Sequence, residues 1–452
     1  MAMLPVANVF STHLRAADII VEQVCGTLTF KITIIGYMNS LSNTRFGTNS
    51  EILFGDGGLE KIPRTESTPR PDLAPNVSLA SYSVMHTYSA AGIYTITYIE
   101  RDRSSGVLNI RNSDDVPYVT SVRINLENTP DCNHYPVLSV IPLDRGCSKM
   151  AFFHSPGAYD VDGDSLSYSM TIPASGETTF AQYDDPASAK FYTDFNAGNE
   201  AGTAPPSFAI DPMSGLITWD APGAAGEYNI AFRITEWRIR EDGSYYELSS
   251  TVRDMQIIIE TCSNTRPALQ VPADLCVEAG ASIAQQILGS DKENHAVKIE
   301  LFSEILEFTA DRNPATFSPD PPAFVTPDPA SIVTFQWNTS CDHIRKQPYQ
   351  IVVKITDSPP EGPKLVTFRS WSIRVVAPSP VIRSAILDVT KNHGVIEWEE
   401  YACPDPVRMQ VWRKVGSFEF DPGNCDIGIP GNSGYQLVGE TDVPAKNFVD
   451  TN

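Results

Sequence analysis

The chain has no uncharged apolar run approaching the roughly 18 to 20 residues a helix needs to cross a bilayer. No long segment repeats apolar residues every 3.6 positions, which takes helical architectures out of consideration. Basic residues are scarce: 33 Lys and Arg stand against 55 Asp and Glu, for a net charge of -22. That imbalance repels phosphate backbones and anionic membranes, so neither nucleic acid nor membrane insertion is expected. Cys-x-x-Cys pairs are absent although eight cysteines are present, which argues against a cysteine zinc site and for disulfides in an oxidising compartment. His-Glu-x-x-His is absent too. The seven histidines are scattered, with His86, His154 and His343 in loop or packing contexts.

What is present is β punctuation. Thirty-five prolines and 28 glycines separate runs rich in Val, Ile, Thr, Tyr and Phe. At 452 residues, roughly three to four domains are expected. A cysteine-flanked phrase occurs twice, from Cys132-Asn-His-Tyr-Pro to Cys147 and from Cys262-Ser-Asn-Thr-Arg-Pro to Cys276. Each is followed by an acidic cluster (Asp160-Val-Asp-Gly-Asp164; Asp291-Lys-Glu-Asn-His295), paired prolines (Pro205-Pro206; Pro321-Pro322), a Trp (Trp219; Trp337) and a Tyr-led strand (Tyr228 to Glu236; Tyr349 to Asp357). A fixed order of unlike motifs marks duplication, and serial modules suit a scaffold or binder more than a single active site. The expected fold class is all-β, with tandem immunoglobulin-like β-sandwiches in an elongated array.

Sandwich geometry constrains the cysteines. If the repeated phrases closed on themselves, Cys25 and Cys341 would be left two modules apart. In an immunoglobulin-like sandwich the second strand begins at the pole where the last strand ends, so cysteines at those places can meet. This predicts Cys25-Cys132, Cys147-Cys262, Cys276-Cys341 and Cys403-Cys425, the first three each worth roughly 4 kcal/mol by loop entropy.

Residues 12–132 carry Phe54-Gly-Asp-Gly57 and His86-Thr-Tyr-Ser-Ala-Ala-Gly-Ile-Tyr94, which resemble the paired signature of polycystic-kidney-disease (PKD) domains, with Ile52 where that family has a Trp. Physically, Gly55-Asp-Gly57 suits a tight strand turn, and Tyr94 a corner whose phenol finds a backbone partner. Residues 133–262 resemble cadherin-like or immunoglobulin-type domains of bacterial surface proteins through Asp160 to Tyr168 and Ile210-Asp-Pro-Met-Ser-Gly-Leu-Ile-Thr-Trp-Asp220, and 263–378 is a degenerate second copy. From 379 to 452, Ile396-Glu-Trp398, Met409-Gln-Val-Trp-Arg413 and Tyr435 to Thr441 resemble an incomplete fibronectin type III domain. Residues 1–11 read as a signal-peptide remnant or a tag, with Val9-Phe-Ser11 suiting cleavage before Thr12. Taken with Phe152-Phe-His-Ser-Pro-Gly-Ala-Tyr-Asp160 and Trp219 to Tyr228, the whole resembles large surface proteins of Bacteroidota, gliding-motility-associated cargo of type IX secretion. The resemblance implies a secreted or cell-surface protein of a Gram-negative bacterium.

Two candidate sites emerge. The insertion from Pro173 to Pro206 carries Phe180, Tyr183, Tyr192 and Phe195 among polar residues, which suits a surface glycan or protein ligand; the same rings could instead fold back over a sheet. Asp160, Asp162 and Asp164 could converge on calcium at the turn Gly163 permits, and in the resembling modules Glu236 lies nearby as a further ligand. The alternative is an Asp/Gly turn whose carboxylates cap backbone amides. The spacing excludes an EF-hand, since Gly stands fourth and Thr171 takes the place of the bidentate Glu. The third module offers Asp291, Glu293 and Asp357. Gly431-Asn-Ser-Gly434 superficially matches a serine-protease nucleophile loop but lies in a Pro/Gly-rich segment. The expected function is a non-catalytic adhesion or display segment; the alternative is a stalk for a hydrolase whose catalytic domain lies beyond 452.

Overall fold

Alternation of apolar and polar residues decides most of the strands. In the strand Thr29–Asn39, Phe30, Ile32 and Ile34 are buried while Lys31 faces solvent, the period-2 pattern of a sheet with one wet face. The computed structural model describes residues 14–451 except 43–44, 74, 102, 128–131, 241, 389, 391–392, 404–407, 417, 420–422, 424–427 and 444. The candidate leader at 1–11 and Cys425 lie outside the described residues.

The chain is all-β and built as tandem immunoglobulin-like sandwiches. In the first, the sheet Leu14–Gln23, Thr29–Asn39, Val77–Thr87, Thr68–Pro69 faces Leu59–Lys61, Ser50–Leu53, Ile93–Glu100, Tyr118–Asn125. Phe30, Ile32, Ile34, Ile52, Ile96, Tyr98 and Ile124 meet between them without exposure. The second is centred on Trp219, Tyr228, Phe232 and Met255, and the third on Trp337, Trp371, Ile351 and Val353. Each such fully buried side chain contributes about 1.5–3 kcal/mol. At the C-terminal end, Ile382–Asp388, His393–Trp398 and Asn447–Asp450 form one sheet, and Arg408–Arg413 with Gln436–Asp442 another.

The turn Gly55-Asp-Gly57 and the segment His86 to Tyr94 are explained by packing. Gly55 and Gly57 have φ of +83° and +92°, and a Cβ on Gly55 would meet the Thr95 backbone nitrogen at 2.7 Å. The turn carries Asp56, which bonds His86 Nε2 at 2.8 Å, and His86 stacks on Phe54. Tyr94 donates its phenol to the Ala90 carbonyl at 2.9 Å, and Tyr228 does the same to Ala224 in the second sandwich.

The first two sandwiches share a sheet, which the sequence does not disclose. The hairpin Gly226–Ile239 and Tyr245–Glu260 is long enough for Ser249–Val252 to pair antiparallel with Ser121–Ile124. Arg123 Nη1 reaches Glu247 Oε1 at 2.5 Å across this seam. Beneath it lies a buried polar network. Arg103 holds both oxygens of Asp254 at 3.2 and 2.7 Å, Asn229 donates to Asp254 Oδ1 at 2.8 Å, and Tyr118 donates to the Asp254 carbonyl at 2.7 Å. Arg253 holds Asp18 with two bonds of 2.9 Å and donates to the Val140 carbonyl.

The second and third sandwiches meet through Val140, Val352 and Phe368. His154 sits there, fully buried, against Asp144, which also faces Lys354 at 3.5 Å. Burial holds the His154 imidazole below its ordinary value, against the opposing pull of Asp144.

The disulfides join Cys25 to Cys132 and Cys147 to Cys262, each within a sandwich. The expected Cys276-Cys341 and Cys403-Cys425 pairs are corrected: Cys341 bonds Cys403, tying the third sandwich to the fourth. Cys276 is disulfide-bonded as well. The error lay in placing Cys341 at the pole of the Tyr-led strand. It opens the 3-10 turn Cys341–His343, whose His343 faces inward beside Trp337, and this turn presents the thiol outward to the next module.

Candidate metal centre

Asp160 closes the strand Ala158–Tyr159, and the turn that follows folds the cluster. Gly163 takes φ +82°, Gly163 N donates to the Asp160 carbonyl, and Asp164 N donates to Asp160 Oδ1 at 2.9 Å. The adjacent strand Ser165–Thr171 runs antiparallel to Gly226–Ile239, with Leu166 opposite Glu236, so Glu236 arrives beside the turn. One ligand atom each of Asp160, Asp164 and Glu236 lies within 4.8 Å of the others. Asp162 turns away: it accepts the His134 amide at 2.9 Å and faces His134 Nδ1 at 2.8 Å. Asn133, which sequence reasoning missed, completes the group by donating to Glu236 Oε1 at 2.9 Å, while Ser249 donates to Oε2 at 2.5 Å. Its position directly after Cys132, matched by Asn264 two residues after Cys262, was the available signal.

The electrostatics are those of crowded, buried acid. Burial raises the Asp160 carboxyl to about 7, with Asp164 and Asp162 adding repulsion, and burial together with Asp160 raises Glu236 to about 8. Arg238 answers part of this charge. It grips both oxygens of Asp164, with Nε at 2.9 Å from Oδ1, and donates Nη2 to Asn133 Oδ1 at 2.8 Å. Asp160 Oδ2 nonetheless has no hydrogen-bond partner, although the residue is only 4% exposed. A buried acceptor without a donor costs about 1–3 kcal/mol, and a cation at that oxygen would remove the cost. The donor set therefore fits a hard cation, with Arg238 as the competing charge.

The insertion from Pro173 to Pro206 is mostly mortar. Tyr183 bridges to Ile110 and packs with Val107 and Ala181, filling the joint between the first two sandwiches. Tyr192 accepts from Trp219 Nε1 at 2.9 Å and donates to the Ala221 carbonyl at 3.0 Å, and Phe195 packs edge-on against Tyr192. The expectation that Tyr183 and Tyr192 face a ligand is thus corrected: an aromatic ring near an exposed loop found a dry neighbour. Phe180 alone of the four is exposed, at 62%. Ser433 of the protease-like phrase is buried, and its Oγ accepts the Tyr435 amide at 3.3 Å.

No family model matches the chain, and no curated protein matches it significantly. Among solved structures, a mutant of the SrpA adhesin from Streptococcus sanguinis is 18% identical, with a TM-score of 0.19, over 25% of this chain and 60% of that one. Domains 4 and 5 of the S-layer protein SbsC are 10% identical, with a TM-score of 0.15, over 35% of this chain and 69% of that one. The titin domains z1z2 in complex with telethonin are 7% identical, with a TM-score of 0.17, over 55% of this chain and 99% of that one.

Proposed function

We propose that the chain is a non-catalytic, extracellular adhesion or display segment that presents a surface for a glycan or protein ligand. The observation that carries this reading is the first junction, where a shared sheet, a buried ion-pair network and the insertion fuse two disulfide-bonded sandwiches into one stiff support. Disulfides place such a chain in an oxidising compartment. The sequence resemblance to Bacteroidota surface proteins supports a cell-surface or type IX secreted setting, and Phe180 is the exposed aromatic of the insertion, free to touch a ligand. The test is a glycan array probed with the purified chain, followed by product analysis. Saturable binding is expected, weakened in Phe180→Ala, with the glycan recovered unaltered. Shortened sugars would overturn the non-catalytic reading, and absence of binding would remove the glycan.

Within this reading the Asp160, Asp164 and Glu236 cluster takes calcium, which displaces Arg238 from Asp164 and stiffens the second sandwich. The expected outcome is a melting temperature that rises with calcium, an effect lost in Asp160→Asn and enlarged in Arg238→Ala. Equal melting in calcium and in chelator for all three proteins would sink the assignment.

A further inference from the structure

The third sandwich rebuilds the same cluster with different chemistry. Asp291 stands in the place of Asp160, and its Oδ1 accepts the His295 amide at 2.8 Å as Asp160 Oδ1 accepts that of Asp164. Asn294, at φ +60°, takes the left-handed place of Gly163. Asn264 donates to Asp357 Oδ2 at 2.5 Å, the counterpart of Asn133 and Glu236, and the Leu365 amide holds Asp357 Oδ1 at 2.6 Å. Asp357 stands in the place of Glu236, and two further changes alter the charge chemistry. His295 replaces Asp164, and Pro359, two residues after Asp357, replaces Arg238, two residues after Glu236. The built-in guanidinium is gone, and an imidazole has entered.

One ligand atom each of Asp291, His295 and Asp357 lies within 4.8 Å of the other two. Three polar atoms there lack a hydrogen-bond partner: Asp291 Oδ2 on a side chain with 0% exposure, His295 Nδ1, and Oδ1 of Asn264, a residue 7% exposed. His295 Nδ1 stands 3.4 Å from Asp291 Oδ1. Asp291 Oδ2, His295 Nδ1 and Asn264 Oδ1 thus converge with no hydrogen bond directed at any of them, while Asp357 is already oriented by Asn264 and Leu365, and such a grouping is a ligand set. Calcium seeks six to eight oxygens and gains little from imidazole, whereas borderline divalent ions bind a mixture of imidazole and carboxylate at low coordination number.

We propose that Asp291, His295 and Asp357 form a binding site for a divalent transition ion of the zinc class. This assignment stands independently of calcium in the second sandwich. Glu293 is outside it, held by Thr265 Oγ1 at 2.7 Å.

The test is calorimetric titration of the full, chelator-stripped chain with zinc chloride and, separately, calcium chloride. One zinc equivalent is expected to vanish in Asp291→Asn and in His295→Ala and to persist in Glu293→Gln. His295→Asp, which restores the ligand pattern already folded in the second sandwich, is expected to weaken zinc by more than about tenfold. Cobalt should give visible absorption that His295→Ala abolishes. Unchanged zinc stoichiometry and affinity in both His295 variants, or displacement of zinc by equimolar calcium, would overturn the proposal.

Discussion

Asp254→Ala is expected to lower the melting transition of the first two sandwiches by on the order of 10 °C, because breaking a buried pair costs about 3–5 kcal/mol and each kcal/mol is worth about 2–4 °C at this size. Asp254 has no solvent exposure and Arg103 is 4% exposed, so removing the carboxylate leaves a guanidinium stranded in the joint. Asn229 would lose its acceptor at the same point. The cost is a penalty for the orphaned charge and does not measure what the pair contributes against an apolar substitute. Arg103→Met combined with Asp254→Leu should therefore recover much of the loss, since apolar replacements of buried pairs are often neutral. Scanning calorimetry of the single and double variants checks both halves. A single variant melting within about 2 °C of the parent would mean that this network does not hold the junction.

The individual sandwiches were far easier to read from the sequence than the joints between them. Strand periodicity, the Trp and Tyr anchors and the acidic turns are local signals, and residues such as Phe30, Ile32 and Ile34 announce a buried face within five positions. The cluster was half legible for the same reason: Asp160 and Asp164 stand in one acidic motif, and the resemblance to cadherin-like modules nominates Glu236 beside them. Asp162 did not join them, because the extended side chain between two turn positions found His134 instead. His295 is missing from the third module's candidates because an imidazole in the place of Asp164 breaks the all-carboxylate motif, whereas Glu293, which keeps a carboxylate, is held away by Thr265.

What joins the modules was not legible, because it depends on pairings between distant segments. Nothing in Ser249-Ser-Thr-Val252 indicates that it will meet Ser121 to Ile124. Tyr183 and Tyr192 misled for a related reason. An aromatic on a long insertion looks the same whether it serves a ligand or a neighbouring domain, and only the second domain's position decides. The consequence is that the insertion's rings contribute rigidity first, leaving recognition to its exposed polar residues and to Phe180, the exposed ring among them.

The disulfides divide into two mechanical kinds, and the largest single stability loss is expected from one of the first kind. Cys147 and Cys262 are 115 residues apart and close the second sandwich on itself: Leu143–Cys147 runs parallel to Tyr245–Glu260, with Cys147 opposite Glu260. Replacing both by Ser frees a loop of that length in the unfolded chain, worth about 4–5 kcal/mol in the loop-entropy model. The Cys341-Cys403 bond instead spans two sandwiches, so its removal should leave the core around Trp337 and Trp371 near its original melting temperature while loosening the joint to the fourth module, with the disulfide at Cys276 kept. Calorimetry and limited proteolysis separate the outcomes. Cys147→Ser with Cys262→Ser should melt far lower, and Cys341→Ser with Cys403→Ser should be cleaved between the third and fourth sandwiches before either melts. Equal melting losses in the two variants would show that the second bond also belongs to a folded core and is not a tether.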